Sequence, residues 1–204
     1  IQIGSSVSTG AAIAVGSRYS STNIAGRNGG IFGSNSITDG SAQLGYRTDP
    51  TVANMNAAGD ITVRLKGTLT VSAGSASGAY VQVGHGSTLA SGSWSGTIGV
   101  QAEGGIVAFP GSGEGAYVQI GHGGLYSSGT RSGSITISTA SIGGTSGGGH
   151  GVYFQIGHGG RLTSGDATGD ITITASGSLS FSAGNGFGSY AQIGHGGHGA
   201  TGNY

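Results

Sequence analysis

An all-β parallel solenoid is the fold this sequence predicts, and three observations predict it. One heptapeptide recurs, two further apolar pairs recur in phase with it, and glycine fills the segments between them, supplying 48 of the 204 residues. The heptapeptide reads YVQVGHG from Tyr80, YVQIGHG from Tyr117, YFQIGHG from Tyr153 and YAQIGHG from Tyr190, with degenerate copies SAQLGYR from Ser41 and IQIGS at Ile1. Its glutamines, Gln2, Gln43, Gln82, Gln119, Gln155 and Gln192, step by 41, 39, 37, 36 and 37 residues, so the unit is about 37 residues long. A period of this size points to stacked supersecondary units rather than to an independent globule.

Within each unit the first strand is entered through Gly and carries Ile61/Val63, Ile98/Val100, Ile135/Ile137 or Ile171/Ile173. The second carries Leu69/Val71, Ile106/Ala108, Ile142/Gly144 or Leu179/Phe181, and the third is the glutamine segment. Apolar residues at i and i+2 place one face of a strand inward, and the β-branched content suits a pleated sheet. Gly, Ser, Asn and Thr separate the strands without helix-period spacing, so three short strands per coil and no helix are expected. Successive coils stack in parallel, the backbone pairs from coil to coil, and Gly supplies the positive φ of tight repeated corners. The chain corresponds to about five and a half coils, roughly 26 Å of stack. An alternative divides each unit into two coils of about 18 residues. Residues 55–204 repeat regularly and residues 1–54 are degenerate, the two together forming one continuous repeat domain.

Composition removes several function classes. Two prolines and no Gly-X-Y period exclude collagen. Seven basic against seven acidic residues give no basic footprint for nucleic acid, no apolar run is long enough to span a membrane, and without Cys there is no disulfide framework. The chain starts at Ile1 without Met or a signal-peptide pattern and shows no capping unit. It therefore reads as a segment of a longer array or as a subunit that stacks end to end.

The phrases GDITITASGSLSFSAG (Gly169 to Gly184), GDITVRLKGTLTVSAG (Gly59 to Gly74) and YAQIGHGG resemble the passenger repeats of bacterial filamentous-haemagglutinin-type proteins of two-partner secretion and autotransporter systems. The resemblance covers roughly residues 55 to 200. It implies a right-handed parallel β-helix at the cell surface or outside the cell, acting in adhesion, aggregation or biofilm structure.

Four histidines, His85, His122, His158 and His195, hold one repeat position and would stack roughly 4.8 Å apart. Such a column could ligate a transition metal, with His198 adjoining. No carboxylate recurs beside it, which favours the other reading, imidazoles that bond backbone at a Gly-bracketed corner and loosen in acid. Gln43, Gln82, Gln119, Gln155 and Gln192 would stack as an amide ladder. If Val and Ile face the core, Tyr80, Tyr117, Tyr153 and Tyr190 share the opposite face with them, an aromatic and amide stripe that stiffens the sheet or packs against a fibre or glycan.

The acids do not converge as a glycosidase pair would, and Asp60 and Asp170 replace Thr97 and Ser134 at a turn-capping position. Gly-Gly sites lack the Asp of calcium repeats, and no phosphate loop is present. No catalytic residue and no cofactor is expected. Function is expected to be that of a structural segment of an adhesin or filament, partnered by copies of itself or by a host or matrix glycan or protein. A carbohydrate-binding or polysaccharide-degrading β-helix is the alternative. The degenerate stretch Val7 to Asp49, with Arg18, Tyr19, Arg27, Tyr46 and Arg47, is where a special site would lie.

Overall fold

A computed structural model describes residues 41–204 and, before them, the strands β1 (Gln2–Ser5), β2 (Ala12–Val15), β3 (Thr22–Gly26) and β4 (Gly30–Ser34). Arg18, Tyr19 and Arg27 lie outside the described residues. From residue 41 the chain forms β5 (Ser41–Leu44) and then four regular coils of four strands each. The first of these holds β6 (Ala57–Ala58), β7 (Ile61–Leu65), β8 (Leu69–Ser72) and β9 (Tyr80–Val83). The second holds β10 (Trp94–Ser95), β11 (Ile98–Ala102), β12 (Ile106–Phe109) and β13 (Tyr117–Ile120). The third holds β14 (Arg131–Ser132), β15 (Ile135–Thr139), β16 (Ile142–Thr145) and β17 (Tyr153–Ile156). The fourth holds β18 (Ala167–Thr168), β19 (Ile171–Ala175), β20 (Leu179–Ser182) and β21 (Tyr190–Ile193).

Each strand pairs in parallel with its equivalent one coil away, giving four sheets that run along the stack. The two-residue strands form a narrow sheet, β6-β10-β14-β18, and the first apolar pairs an isoleucine sheet, β3-β7-β11-β15-β19. A linking sheet, β1-β4-β8-β12-β16-β20, leads to the glutamine sheet, β2-β5-β9-β13-β17-β21. The coil is therefore the whole 37-residue unit, not a half of it. Register follows the repeat: Ile61, Ile98, Ile135 and Ile171 are partners, as are Tyr80, Tyr117, Tyr153 and Tyr190.

Two features depart from the sequence reading. The narrow sheet makes a fourth strand in each coil, because only one residue per coil points inward there and its identity changes from Ala57 to Trp94, Arg131 and Ala167. No repeated apolar pair announces it. The IQIGS segment is not a copy of the glutamine strand: Gln2 pairs with Ile31 in the linking sheet, and Ala14 stands opposite Gln43.

The main core is aliphatic and is enclosed by the isoleucine, linking and glutamine sheets, with Ile61, Ile98 and Ile135 fully buried beside Leu69, Ile106 and Val118. Size changes offset one another between coils. Gly144 stands where Val71 and Ala108 stand in earlier coils, and a Cβ there would lie 2.1 Å from the Phe154 ring, which fills the space. One coil on the sizes exchange: Phe181 replaces the glycine, Ala191 replaces the phenylalanine, and the rings of Phe154 and Phe181 stack at 5.3 Å. Constant total volume at native packing density is what such a core requires.

Candidate functional site

From β5 to β17 the glutamine sheet is buried on both faces, every residue of β5, β9, β13 and β17 included. The face predicted as an exposed aromatic and amide stripe is instead the wall of a second compartment. After each Gly-His-Gly corner the chain folds back over the tyrosines, and a Cβ on Gly124 would lie 2.7 Å from the Tyr117 hydroxyl and one on Gly160 2.8 Å from that of Tyr153. Alternation in the sequence fixes which residues share a face and is silent on what covers that face.

The tyrosines form a column of parallel rings, centroids 4.8, 4.8 and 4.9 Å apart from Tyr80 through Tyr117 and Tyr153 to Tyr190. Burial holds the phenols of Tyr117, Tyr153 and Tyr190 well above the ordinary value of 10.0, so they remain neutral. At the N-terminal end of the column Arg47 Nε donates to the Tyr80 hydroxyl at 3.0 Å, and that hydroxyl donates to Gln43 Oε1 at 3.4 Å. Tyr190 donates to Gln155 Oε1 in the same way at 3.2 Å.

The glutamines do not bond one another as a ladder. Gln82 Nε2 donates to its own coil at His85 O (3.2 Å) and to the next coil at Gly121 O (2.9 Å) and Gly123 O (3.1 Å). Gln43, Gln119 and Gln155 repeat this bridge, with Gln119 reaching His122 O, Gly157 O and Gly159 O. Each amide thus satisfies carbonyls at the corner where the parallel ladder is interrupted, and buried carbonyls without donors would be costly.

The histidines occupy that corner. Their rings stack at 5.0, 4.8 and 5.0 Å from His85 to His195. Nδ1 of His122 accepts the backbone N–H of His85 at 2.9 Å, and His158 and His195 accept likewise from His122 and His158. Tyr46, which stands in the histidine position of its coil, donates its N–H to His85 Nδ1. On the other side Nε2 donates to Gly59 O, Gly96 O, Gly133 O and Gly169 O at 2.8, 3.0, 2.7 and 2.7 Å. An N–H facing Nδ1 and a carbonyl facing Nε2 fix one neutral tautomer. Both nitrogens are thereby committed to the backbone, and among the described residues no three His, Asp or Glu side chains converge as metal ligands. Burial depresses three of the imidazoles: His85 lies below the ordinary 6.5, His122 well below it, with the neighbouring His158 and His85 adding to the effect, and His158 falls to about 4.

Arg131 closes the compartment from the narrow sheet, fully buried with its guanidinium 5.7 Å from the centre of the Trp94 ring. It donates to Ser164 O, Gly165 O, Ser127 O and Ser127 Oγ. Nε has no partner, and desolvation lowers its pKa to about 10. A buried cation held by carbonyls gains little net energy from its charge. Arg131→Met is expected to leave stability in urea within about 1.5 kcal/mol of the parent, while Arg131→Ala costs about 3 kcal/mol through the cavity. Equal losses in the two variants would show that the charge holds the site.

Three aspartates lie elsewhere and bond backbone. Asp60 accepts from the N–H of Thr97 one coil on at 2.8 Å, Asp166 from that of Asn203 at 2.9 Å, and Asp49 from that of Thr51 at 2.8 Å. Of two shallow grooves, the one over the isoleucine sheet is lined by Arg64 and Val100 as well as Gly99, Gln101 and Thr136, and the one over the narrow sheet by hydroxyls, amides and glycine such as Asn56, Ser93 and Thr130. Comparison of the chain with protein-family models, curated proteins and solved structures finds no match.

Proposed function

We propose that this chain is a rod segment of an extracellular bacterial adhesin or filament, working mechanically in adhesion, aggregation or a biofilm matrix. The observation that carries the reading is the continuity of the Tyr, Gln and His columns through successive coils. Repeated interior chemistry of this kind serves a stack, because each coil completes the hydrogen bonds of the one before it. The resemblance of the Gly-x-Ile and YxQIGHG phrases to filamentous-haemagglutinin-type passengers supports an extracellular setting. Burial of the tyrosines and glutamines weighs against the carbohydrate-binding alternative, which would have drawn on them.

Electron microscopy of native material combined with fibre diffraction tests the reading. Thin continuous rods with an axial repeat of roughly 4.8 Å are expected. Discrete globules without an axial repeat would sink it.

A further inference from the structure

We propose that the ridge of Leu89, Tyr126 and Leu162, with the uncharged groove beside it, binds an extended neutral polysaccharide. The proposal rests on the rod reading above, names the partner such a rod holds, and uses none of the buried tyrosine column.

The backbone marks the ridge. Among the described residues with positive φ all but four are glycines, and three of those four are Leu89 (φ +61°), Tyr126 (φ +57°) and Leu162 (φ +55°), at one place in successive coils. Each is the third residue of the turn that follows the histidine corner, closed at Tyr126 by Ser127 N donating to Gly124 O at 3.3 Å. A positive φ at that place favours Gly or Asn, and one coil further on Gly199 takes it, with φ +69°. A large apolar side chain there carries backbone strain. Burial does not offset the strain, since Leu89 is 61% and Tyr126 47% exposed. What these side chains contribute therefore lies outside the fold.

The surface alongside defines what they meet. Past the inward Ala90 and Ser127, Ser91 and Ser128 face outward into the groove over the narrow sheet. That groove offers about 330 Å³, at the lower end of small-molecule clefts of roughly 300–1,000 Å³. Hydroxyls, amides and glycine line it, with no charged side chain among them. A pyranose ring has a C–H face that lies on apolar or aromatic side chains and a rim of hydroxyls that bond polar ones. Ridge and groove present these two chemistries side by side. Columns roughly 6.6 Å apart are about one sugar ring wide and run straight along the stack, which suits an extended chain. Asp166 follows Ser93 and Thr130 in their column and repels a uronate or a sulfate, which selects a neutral glycan. Each contact is weak, and the rod gains from their number.

Titration of the isotope-labelled 204-residue chain with cellohexaose, followed by NMR, is expected to give saturable shifts at the amides of Leu89, Ser91, Tyr126 and Ser128. Hexagalacturonate is expected to give none. Tyr126→Gly is expected to weaken cellohexaose at least about tenfold, while melting no more than a few degrees below the parent because glycine relieves the turn. A larger fall would show that the ring is held for packing and overturns the proposal. Absence of saturable shifts, binding indifferent to Tyr126→Gly, or a preference for hexagalacturonate overturns it as well. So does a dimer in sedimentation equilibrium that Tyr126→Gly abolishes without any sugar binding, which would assign the ridge to a second copy. Rods with the axial repeat that bind no glucan discard the glycan alone, whereas globules discard the rod itself.

Discussion

Gly121→Ala is expected to unfold the middle of the solenoid. The backbone there has φ +155°, and a Cβ would lie 1.9 Å from Gly157 O and 2.5 Å from its carbonyl carbon. Those atoms belong to the next coil and have no freedom to retreat. Gly157 N donates to Ile120 O at 2.9 Å, and Gln119 Nε2 donates to Gly157 O at 3.1 Å. Gly84, Gly157 and Gly194 stand at the same position with φ of +159°, +151° and +147°, and at Gly84 and Gly157 the nearest atom is again the next coil's carbonyl at 1.9 Å. Relief requires parting two parallel strands, so the loss is expected to reach at least about 4 kcal/mol, a fall in Tm of about 10 °C or more for a chain of this size. Gly148→Ala is the control, since nothing lies within 4 Å of its Cβ, and it is expected to melt with the parent. Thermal melts followed by circular dichroism decide the matter: a Gly121→Ala chain melting within a few degrees of the parent would show that the corner relaxes.

Acid is expected to produce the second large effect. His85, His122 and His158 are buried and neutral in the fold, with pKa values below the ordinary 6.5. A depressed folded-state pKa means that the unfolded chain takes up protons first. The stability these groups contribute is therefore complete above pH 6.5 and is lost as pH falls toward the folded values. His158, with its value of about 4, surrenders about 3 kcal/mol across that window. While all three are protonated only in the unfolded chain, the slope reaches about 4 kcal/mol per pH unit. Protonation at Nδ1 would also turn an acceptor of a backbone N–H into a donor facing it. The charged groups that bear on His158 do not rescue it, since the His195 imidazole and Arg131 both act in the same direction as burial. Asp49, Asp60 and Asp166 are exposed and titrate below 3.8, outside this window. Tm is expected to fall steeply between about pH 6.5 and about pH 4, and His122→Gln to reduce the slope by about a third. An unchanged Tm between about pH 8 and about pH 5 would remove this account.

Much of the fold was legible because a solenoid writes its register into its repeat. The apolar pairs Ile61/Val63 and Leu69/Val71 and the glutamine phrase predict three of the four strand columns and their pairing. The histidine corner was legible too: Gly on either side of His, with no acid nearby, points to backbone bonding, and each ring bonds backbone at both nitrogens. What stayed hidden did so for three separate reasons. Trp94 and Arg131 occupy one column and look unrelated in sequence, so the narrow sheet left no period. The covering of Tyr117 depends on glycines after the corner, whose role appears only when the chain is seen to fold back on itself. Gln2 misled because four residues of resemblance outweighed a spacing of 41, the longest step in the series.

The bridges at the corner also give the rod a direction. Gln82 Nε2 and the His85 N–H both donate forward, to Gly121, Gly123 and His122, and the same atoms of the next coil donate forward again to Gly157, Gly159 and His158. In a chain emerging from its N-terminus, whether from a ribosome or through a secretion pore, every coil waits for its successor before these donors are met. The newest layer is always the unfinished one, and its open donors are a template for the layer still to come. Growth by such a rule is vectorial, and a stalled chain would carry its reactive edge at the leading end of synthesis.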